Sequence, residues 1–235
     1  KLAIFCTFMD DHLAYYKSNR KRYFDDKANI FKYQGKDNIL IIGRQALPAI
    51  RRWSASATLR RDKGGKIKSK KIIAPLNVED FKSNLLGRHN AYNIALAVTA
   101  ARVLGIKNSV IKKAVKSFKG VPGRLELIRV IRGVKYYNDT TATTPDATIA
   151  ALQALGAQGS TLESSKGRTF EKRIILIAGG SDKGLDMGGL IKEMPKYCKA
   201  VILLSGTGTE RIKKTINNLQ LTIDEAGNMK EAVGE

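Results

Sequence analysis

The spacing of hydrophobic residues in the first third of the chain predicts short helices and strands. Residues 11–33 have the periodicity of two helices joined near Ser18, and residues 38–43 form a short apolar strand. Two polar segments of strand-forming composition follow, around residues 54–59 and 66–73. These two segments indicate the edge of a sheet.

The middle of the chain has the pattern of two helices. Residues 91–104 are apolar at almost every position and are followed by Gly105, which predicts a buried helix with a glycine C-cap. Residues 109–118 have the pattern of an amphipathic helix, and Asn108 or Ser109 is its expected N-cap.

The segment Gly120-Val-Pro-Gly123 is the clearest boundary in the sequence, because two glycines and a proline interrupt both periodicities. After it the pattern is strand, strand, helix, strand, helix, strand, helix, strand. This alternation predicts an α/β fold with a parallel sheet and helices on both faces. We therefore expect two domains, residues 1–119 and residues 120–235.

The composition is typical of a globular chain. Of 235 residues, 43% are hydrophobic and 27% are charged, and the sequence has no apolar run of the ~18 residues needed to span a bilayer. The apolar start of the chain leads directly into Asp10 and Asp11, unlike a signal peptide. Cys6 and Cys198 have neither disulfide-framework nor metal-ligand spacing. We expect a cytoplasmic protein with reduced cysteines and no membrane partner.

The charge balance is strongly basic, with 42 Lys and Arg against 21 Asp and Glu. A formal charge of +21 favours polyanionic partners such as nucleic acid, nucleotides or acidic lipid. The local clusters at residues 17–22 and 60–71 accompany no recognisable nucleic-acid-binding module. A solvated basic surface is therefore the preferred interpretation, and a nucleic-acid partner is not expected.

Two polar segments of the first predicted domain have side chains suited to ligand binding. His12 lies in a DDHL segment and Lys27 in a DKANIF segment, and neither residue alone indicates a metal site. Asn90 and Asn93 lie three residues apart in the first turn of the predicted buried helix, so their amides share one face. Such amides can recognise an adenine edge, although helix capping by Asn90 would explain one of them.

The second predicted domain has polar residues at a turn and after two strands. Arg124 lies in the boundary turn, Asp139 ends a strand, and Lys183 follows a buried strand in a glycine-rich loop. The carboxyl ends of strands are where open α/β sheets bind ligands. No GxxxxGK[ST] phosphate loop or GxGxxG dinucleotide motif occurs in the sequence.

Taken in order, six segments resemble the Mur ligases, a family of ATP-dependent amino-acid ligases. They are DDHL (residues 10–13), DKANIF (26–31), GRHNAYN (87–93), GVPGRLE (120–126), NDTTATTPDAT (138–148) and AGGSDKG (178–184). The resemblance implies a truncated central ATP-binding domain in residues 1–119. It also implies a Rossmann-like, amino-acid-binding C-terminal domain in residues 120–235, incomplete at its end.

The resemblance also implies roles in catalysis and metal binding. Lys27 matches the lysine that family members carbamylate with CO₂, and His12 matches a neighbouring Mg²⁺ ligand. Arg124 matches a residue that contacts the ATP phosphates. His12, Lys27 as its carbamate and Arg124 are therefore the expected catalytic residues, with ATP and Mg²⁺ as cofactors.

Nucleotide and substrate contacts follow from the same resemblance. Asn90 and Asn93 would contact adenine, and Asp139 would lie on the ribose side. NDTTATTP is similar to the NDSKATN signature of the D-glutamate-adding members, and AGGSDKG is similar to their GGxxK loop. By this resemblance, Thr143 and Lys183 would hold the carboxylates of D-glutamate. The implied reaction joins D-glutamate to UDP-N-acetylmuramoyl-L-alanine through an acyl phosphate, as part of peptidoglycan synthesis, cell-wall biogenesis, cell shape and cell division. A monomer is expected.

The sequence departs from the family pattern in three places. It has no GTxGKT phosphate loop or UDP-binding domain, and it stops before the segment that closes the amino-acid pocket, so we expect the fragment alone to be inactive. Thr141 replaces the lysine of NDSKATN. The alternatives to a D-glutamate-adding ligase are another Mur ligase, a folylpolyglutamate-type ligase, or a non-catalytic basic module that binds nucleotide or nucleic acid.

Overall fold

The computed structural model describes residues 1–11, 15–59, 67–159, 163–164, 167–168, 173–216 and 221–234. The chain divides into two compact units, Lys1–Lys119 and Gly120–Glu235. Each unit has its own buried cores and is described by itself.

The first unit is built on a parallel three-stranded sheet in the order β1-β2-β3. The strands are β1 (Leu2–Phe5), β2 (Ile39–Ile42) and β3 (Lys70–Ile73). The central strand β2 is an apolar run that the sequence predicted, and its Leu40 and Ile41 are completely buried. A strand buried on both faces is typical of a parallel sheet covered by helices.

The described residues of the first unit form five α-helices. They are α1 (Arg20–Lys27), α2 (Asn29–Lys32), α3 (Leu47–Leu59), α4 (Arg88–Val103) and α5 (Asn108–Ser117), with a 3₁₀ turn at Arg44–Ala46. Alternate residues of β2 enter different cores, because successive side chains of a strand point to opposite faces. Leu40 and Ile42 join an aromatic cluster with α1, α2 and α3, whereas Ile41 packs with Leu96 and Ala100 of α4.

The second unit has a parallel three-stranded sheet and a separate antiparallel hairpin. The sheet has the order β10-β9-β8, formed by β8 (Ile174–Ala178), β9 (Cys198–Leu204) and β10 (Thr222–Ala226). The hairpin consists of β4 (Glu126–Ile131) and β5 (Val134–Asn138). Two short strands, β6 (Glu163–Ser164) and β7 (Gly167–Arg168), also pair antiparallel.

Three of the described helices of the second unit lie in the predicted places between its strands, and a short fourth helix follows β10. They are α6 (Pro145–Gly156), α7 (Gly188–Tyr197), α8 (Thr207–Ile216) and α9 (Met229–Val233), with a 3₁₀ turn at Ala157–Gly159. Leu152 of α6, Met194 of α7 and Ile216 of α8 meet Val201 and Leu203 of β9 in one buried cluster. This burial of apolar helix faces on a parallel sheet holds the carboxyl ends of the strands in place.

Several local predictions were wrong. Residues 54–59 belong to helix α3 and not to a strand, whereas the predicted edge strand at residues 66–73 is present as β3. Residues 15–18 form a turn, and the helices of this region are separated at Ala28 and not at Ser18. The first two strands of the second unit form a hairpin that pairs with none of the strands of the parallel sheet among the described residues.

The predicted cap of α5 also differs. Lys107 is its N-cap and has no side-chain cap bond, while Asn108 Oδ1 accepts a hydrogen bond from Arg102 Nε at 3.1 Å. Across the described part of the chain, no helix combines the length and the apolar character needed to span a bilayer.

Candidate functional site

The boundary turn of the second unit is clamped to the end of strand β5. Both the backbone N–H and the hydroxyl of Thr141 donate to the Gly123 carbonyl, at 3.1 and 2.6 Å. Gly123 has a φ of +71°, and a Cβ there would lie 3.2 Å from Thr141 Cγ2 and 3.3 Å from Thr140 Oγ1. Glycine is therefore required both by the backbone conformation and by the close approach of the strand end.

The same clamp brings Arg124 and Asp139 into one cluster. Asp139 Oδ1 accepts a hydrogen bond from the backbone N–H of Leu125 at 2.9 Å, so the carboxylate is tied to the residue after Arg124. Glu126 Oε2 accepts a hydrogen bond from the Gly123 N–H at 2.8 Å, on the other side of Arg124. The Arg124 side chain is exposed, so its guanidinium extends from a backbone fixed on both sides.

Leu125 has a left-handed backbone conformation, with a φ of +46°. This conformation costs a non-glycine residue roughly 1–2 kcal/mol, and such residues occur often at functional sites. The bond from the Leu125 N–H to Asp139 is one of the contacts that hold it. The positions of Arg124 and Asp139 therefore depend on one strained turn.

Thr143 lies directly before helix α6. Thr144 is the N-cap of this helix, where its Oγ1 accepts a hydrogen bond from the Ala147 N–H at 3.3 Å, and Pro145 occupies the first helical turn. Thr143 is exposed, and the Ala142 N–H donates to the Asp139 carbonyl at 2.8 Å. A tight turn thus connects Asp139 to Thr143 at the carboxyl end of β5.

The loop that carries Lys183 is attached to the start of helix α8. The Gly208 N–H donates to the Gly180 carbonyl at 2.9 Å, and a Cβ on Gly206 would lie 2.6 Å from that same oxygen. The Asp182 N–H donates to Thr207 Oγ1 at 2.9 Å. Gly206 therefore allows the close approach of this backbone to the loop.

Asp182 makes the second set of contacts in this loop. Its Oδ1 accepts hydrogen bonds from the Gly184 N–H at 2.8 Å and from Arg211 Nη1 at 2.9 Å. The Gly184 N–H and the Arg211 guanidinium hold the pKa of the Asp182 carboxyl below its ordinary value. Lys183 lies between the two bonded residues Asp182 and Gly184, and its own side chain is exposed.

Lys27 is the last residue of α1 and lies beside a group of tyrosines. Its Nζ is 5.0 Å from the centroid of the Tyr23 ring, within the range of a cation–π contact. An open cavity of about 420 Å³ is lined by Tyr15, Tyr16, Tyr23, Asp26 and Lys27. Desolvation and a hydrogen bond with Asp26 raise the pKa of Tyr16. His12 lies outside the described residues.

Helix α1 is fixed to the unit by aromatic packing and one polar bond. Trp53 Nε1 donates to Asp25 Oδ1 at 2.7 Å, and the Trp53 ring lies 6.0 Å from the ring of Phe24 between centroids. Phe24 is buried, while Lys27 three residues later is exposed. The core therefore orients the helix so that the Lys27 amine reaches solvent.

Asn90 lies in the first turn of α4, as predicted, whereas Asn93 lies in the second turn. Gly87 is the N-cap, so capping by Asn90 is wrong; instead Asn90 Nδ2 donates to the Leu86 carbonyl at 2.8 Å. This bond uses one of the two N–H groups of the amide and fixes its orientation. Asn93 is exposed one turn along the helix.

The structure brings some candidate residues together and leaves others in separate clusters. The bond from the Leu125 N–H to Asp139 connects the turn of Arg124 with the end of β5, and Thr143 follows the turn closed by the Ala142 N–H, whereas the Lys183 loop is held by α8. The sequence did not reveal Arg211 or Thr207 as partners of this loop; the Gly206-Thr-Gly208 segment was the available signal. The described His, Cys, Asp and Glu side chains form no group of three that could hold a metal ion.

Comparison with known families covers most of the chain. Residues 1–101 match the Mur ligase middle domain, and residues 123–235 match the domain described as "Mur ligase, glutamate ligase domain". The chain therefore belongs to the Mur ligase family, and its two compact units contain the two matched regions.

Three similar curated proteins are each named UDP-N-acetylmuramoylalanine–D-glutamate ligase. The protein of Clostridium botulinum is 34% identical over 99% of this chain and 50% of its own length. The Roseiflexus protein is 41% identical over 61% of this chain and 28% of its own length, and the Salinibacter ruber protein is 27% identical over 99% of this chain and 51% of its own length. The chain spans about half the length of the relatives that it matches along its whole length.

Solved structures support the fold. MurF of Acinetobacter baumannii superposes with a TM-score of 0.59 at 16% identity, covering 99% of this chain and 58% of that one. Folylpolyglutamate synthase of Thermotoga maritima has a TM-score of 0.58 at 13% identity, covering 99% and 55%. At these identities the likeness concerns the architecture alone.

Proposed function

We propose that this chain acts within an ATP-dependent ligase that joins D-glutamate to UDP-N-acetylmuramoyl-L-alanine in peptidoglycan precursor synthesis. The observation that carries the proposal is the bond between the Leu125 N–H and Asp139, which connects the backbone beside Arg124 to the Asp139 carboxylate. The relatives of this chain are named as D-glutamate ligases, which supports D-glutamate as the amino acid that is added. Such a reaction uses soluble substrates, so a cytoplasmic location follows as part of the proposal.

Nucleotide binding would use Asn90, Asn93, Arg124 and Asp139. Asn90, oriented by its bond to Leu86, and Asn93 offer amides that can pair with the edge of adenine. The exposed Arg124 guanidinium can form charge-assisted hydrogen bonds with phosphate oxygens, and Asp139 can accept from a ribose hydroxyl. The clamp on Gly123 supports this role, because a preorganised guanidinium loses less entropy on binding.

D-Glutamate would be held by Thr143 and Lys183. A hydroxyl and an ammonium group are suitable donors to the two carboxylates, and both side chains are exposed at the carboxyl ends of strands. The contacts of Asp182 with Gly184 and Arg211 fix the backbone around Lys183. The loop can therefore present the ammonium group in a defined direction.

Magnesium binding would involve Lys27 as its carbamate together with His12. The exposed amine at the end of α1 is open to CO₂, and carbamylation replaces a cation with an anionic oxygen donor of the type that Mg²⁺ prefers. Bound Mg²⁺ would supply charge stabilisation of the transferring phosphoryl group. Carbamylation would replace the present contact between the Lys27 ammonium group and the Tyr23 ring, because the face of an aromatic ring attracts cations and not anions.

The proposed reaction has two balanced steps. A carboxylate oxygen of UDP-N-acetylmuramoyl-L-alanine attacks the γ-phosphorus of ATP, which forms an acyl phosphate and releases ADP. The amine of D-glutamate then attacks the acyl carbon, so that an amide forms, phosphate leaves and the amine releases a proton. Arg124 would stabilise negative charge on the phosphoryl oxygens during the first step.

The test uses the protein encoded by the complete open reading frame that contains this chain. Purified protein is supplied with ATP and Mg²⁺, and phosphate release is compared for three kinds of substrate pair. They are D-glutamate with UDP-N-acetylmuramoyl-L-alanine, L-lysine or diaminopimelate with UDP-N-acetylmuramoyl-L-alanyl-D-glutamate, and L-glutamate with a folate. We expect turnover that depends on D-glutamate. Turnover with another amino acid would favour another ligase of this fold, and nucleotide binding without any turnover would favour the non-catalytic module.

A matched pair of variants connects the test to the cluster. Arg124→Gln should lower turnover by about 10²-fold, the usual loss for one group that stabilises transition-state charge. Arg129→Gln, on the exposed strand β4 five residues later, should leave turnover unchanged. Equal activity of the two variants would remove Arg124 from the mechanism.

A further inference from the structure

The excess positive charge of the chain is concentrated in its first unit. Residues 1–119 contain 26 Lys and Arg against 8 Asp and Glu, whereas residues 120–235 contain 16 against 13. Within the first unit, residues 81–119 contain eight Lys and Arg and no acidic residue. The proposed ligase chemistry uses none of these eight side chains, so it does not account for this basic region.

Helix α5 directs part of this charge away from the core. Ile111 is buried and packs with Phe81 and Val98, and Val115 packs against the same cluster from one turn further on. Lys113 and Lys116 lie three residues apart on the opposite side of the helix, and both are exposed. The inner face of α5 is thus occupied, and its outer face is basic.

Apolar side chains lie beside these lysines at the start of α5. Leu104 is 65% exposed, Ile106 42% and Val110 56%. Lys107, the exposed N-cap residue of α5, accepts a hydrogen bond from the Val110 N–H at its carbonyl, at 3.0 Å. These three apolar residues and Lys107 therefore lie in the α4–α5 turn and the first turn of α5. We refer to Leu104, Ile106, Lys107, Val110, Lys113 and Lys116 as the α5 corner.

From this combination we propose that the α5 corner docks on the surface of an anionic lipid bilayer. Lysines near a negatively charged membrane are attracted to the headgroups, while exposed aliphatic side chains enter the interfacial region. Exposed Arg102 and Phe118 flank the corner. The corner itself has lysine and aliphatic side chains, and exposed aliphatic side chains suit a lipid interface better than the arginine forks or aromatic platforms of a nucleic-acid site. The sequence predicted no membrane partner; the exposure of these side chains is the observation that argues for a peripheral contact.

The test measures co-sedimentation of the 235-residue chain with lipid vesicles. One vesicle preparation is an equimolar mixture of phosphatidylglycerol and phosphatidylcholine, and the other is phosphatidylcholine alone. We expect binding to the mixed vesicles only, and weaker binding as salt is added, because salt screens the attraction. Equal binding to both preparations, or binding to neither, would overturn the proposal.

Three variants locate the contact. The first variant combines Lys107→Gln, Lys113→Gln and Lys116→Gln. It should bind the mixed vesicles at least about tenfold more weakly, because each lysine near an anionic surface raises the binding constant roughly fivefold at low salt. Leu104→Ser with Val110→Ser should weaken the binding that remains at higher salt. The matched control removes three exposed lysines of the second unit, Lys192, Lys199 and Lys230, and should bind like the unchanged chain.

The outcomes separate the alternatives. All substitutions are at exposed positions, and circular dichroism checks that each variant is folded. Equal weakening by the control and the corner variant would show a dependence on total charge and would overturn the assignment to α5. A third outcome would assign the surface to nucleic acid. In that case the unchanged chain would bind duplex DNA but not vesicles, and the corner variant would lose the binding to DNA. Because no ligase activity is measured, the result is independent of the proposed function.

Discussion

Arg211 Nη1 donates to Asp182 Oδ1 at 2.9 Å, and this contact joins helix α8 to the loop that carries Lys183. The two residues are 29 positions apart in sequence. The same carboxylate oxygen accepts from the Gly184 N–H at 2.8 Å, so one carboxylate holds both the loop and the helix.

The first prediction concerns the protonation of Asp182. The Gly184 N–H and Arg211 lower the pKa of this carboxyl in the folded chain. The carboxylate therefore contributes its full stabilisation above the pKa of an unfolded aspartate, about 3.9. This stabilisation is lost as the pH falls through the lower pKa of the folded chain. Arg211→Gln should raise the pKa of Asp182 and leave it still below the ordinary value, because the Gly184 bond remains. Carbon-13 NMR titration of the side-chain carboxyl measures the shift; an unchanged pKa would exclude the guanidinium as a cause.

The second prediction concerns the use of D-glutamate and rests on the proposed function. Exposed ion pairs contribute about 0.2–1 kcal/mol, so Arg211→Gln should raise KM for D-glutamate by up to about fivefold with little change in kcat or in KM for ATP. Arg211→Lys should recover part of the loss, and Lys192→Gln serves as a control away from the loop. An equal loss for both substrates would indicate general disorder of the unit.

The third prediction concerns Thr141, which stands where the D-glutamate-adding signature has a lysine. The Thr141 hydroxyl donates to the Gly123 carbonyl at 2.6 Å, and Thr141→Val removes this bond while preserving shape. The variant should lose about 1 kcal/mol of unfolding free energy, measured by urea denaturation followed by circular dichroism. Thr143→Val, at an exposed position in the same turn, should change it by less than about 0.5 kcal/mol. Similar values for the two variants would contradict a clamp.

The fourth prediction concerns Lys27 in the protein from the complete open reading frame. Lys27→Ala should abolish turnover because the carbamate cannot form, and bicarbonate or a short carboxylate should partly restore turnover by supplying an oxygen ligand. Lys21→Ala on the same helix removes only the exposed ion pair with Asp25 and should retain activity. Full activity of Lys27→Ala without any added carboxylate would refute the carbamate.

The fifth prediction concerns Cys198. Burial raises the pKa of its thiol to about 12, and the thiolate is the reactive form, so only ~10⁻⁴ of it is ionised at about pH 8. Cys6 is exposed, so iodoacetamide should label Cys6 in the folded chain and label Cys198 only after urea is added. Peptide mass spectrometry distinguishes the two sites. Labelling of Cys198 at the rate of Cys6 in the folded chain would show that β9 is not buried as described.

Hydrophobic patterning predicted local structure well where the periodicity was strong. The run at residues 91–104 became most of α4, and the apolar residues 38–43 became the buried strand β2. Patterning failed at residues 54–59, because the polar and small residues at the end of α3 have no clear period. It also failed to show that β4 and β5 form a hairpin, since strand pairing is not encoded in the period of one strand.

The sequence by itself determined the order of the elements and the family motifs, because both depend on neighbouring residues in the chain. The tertiary structure decided which distant residues meet. Thr141 and Gly123 are 18 positions apart, and Asp182 and Arg211 are 29 apart, so their contacts depend on how turns, strands and helices pack. Packing also decided which lysines face outward beside aliphatic side chains on α5, because burial of Ile111 fixes the rotation of the helix.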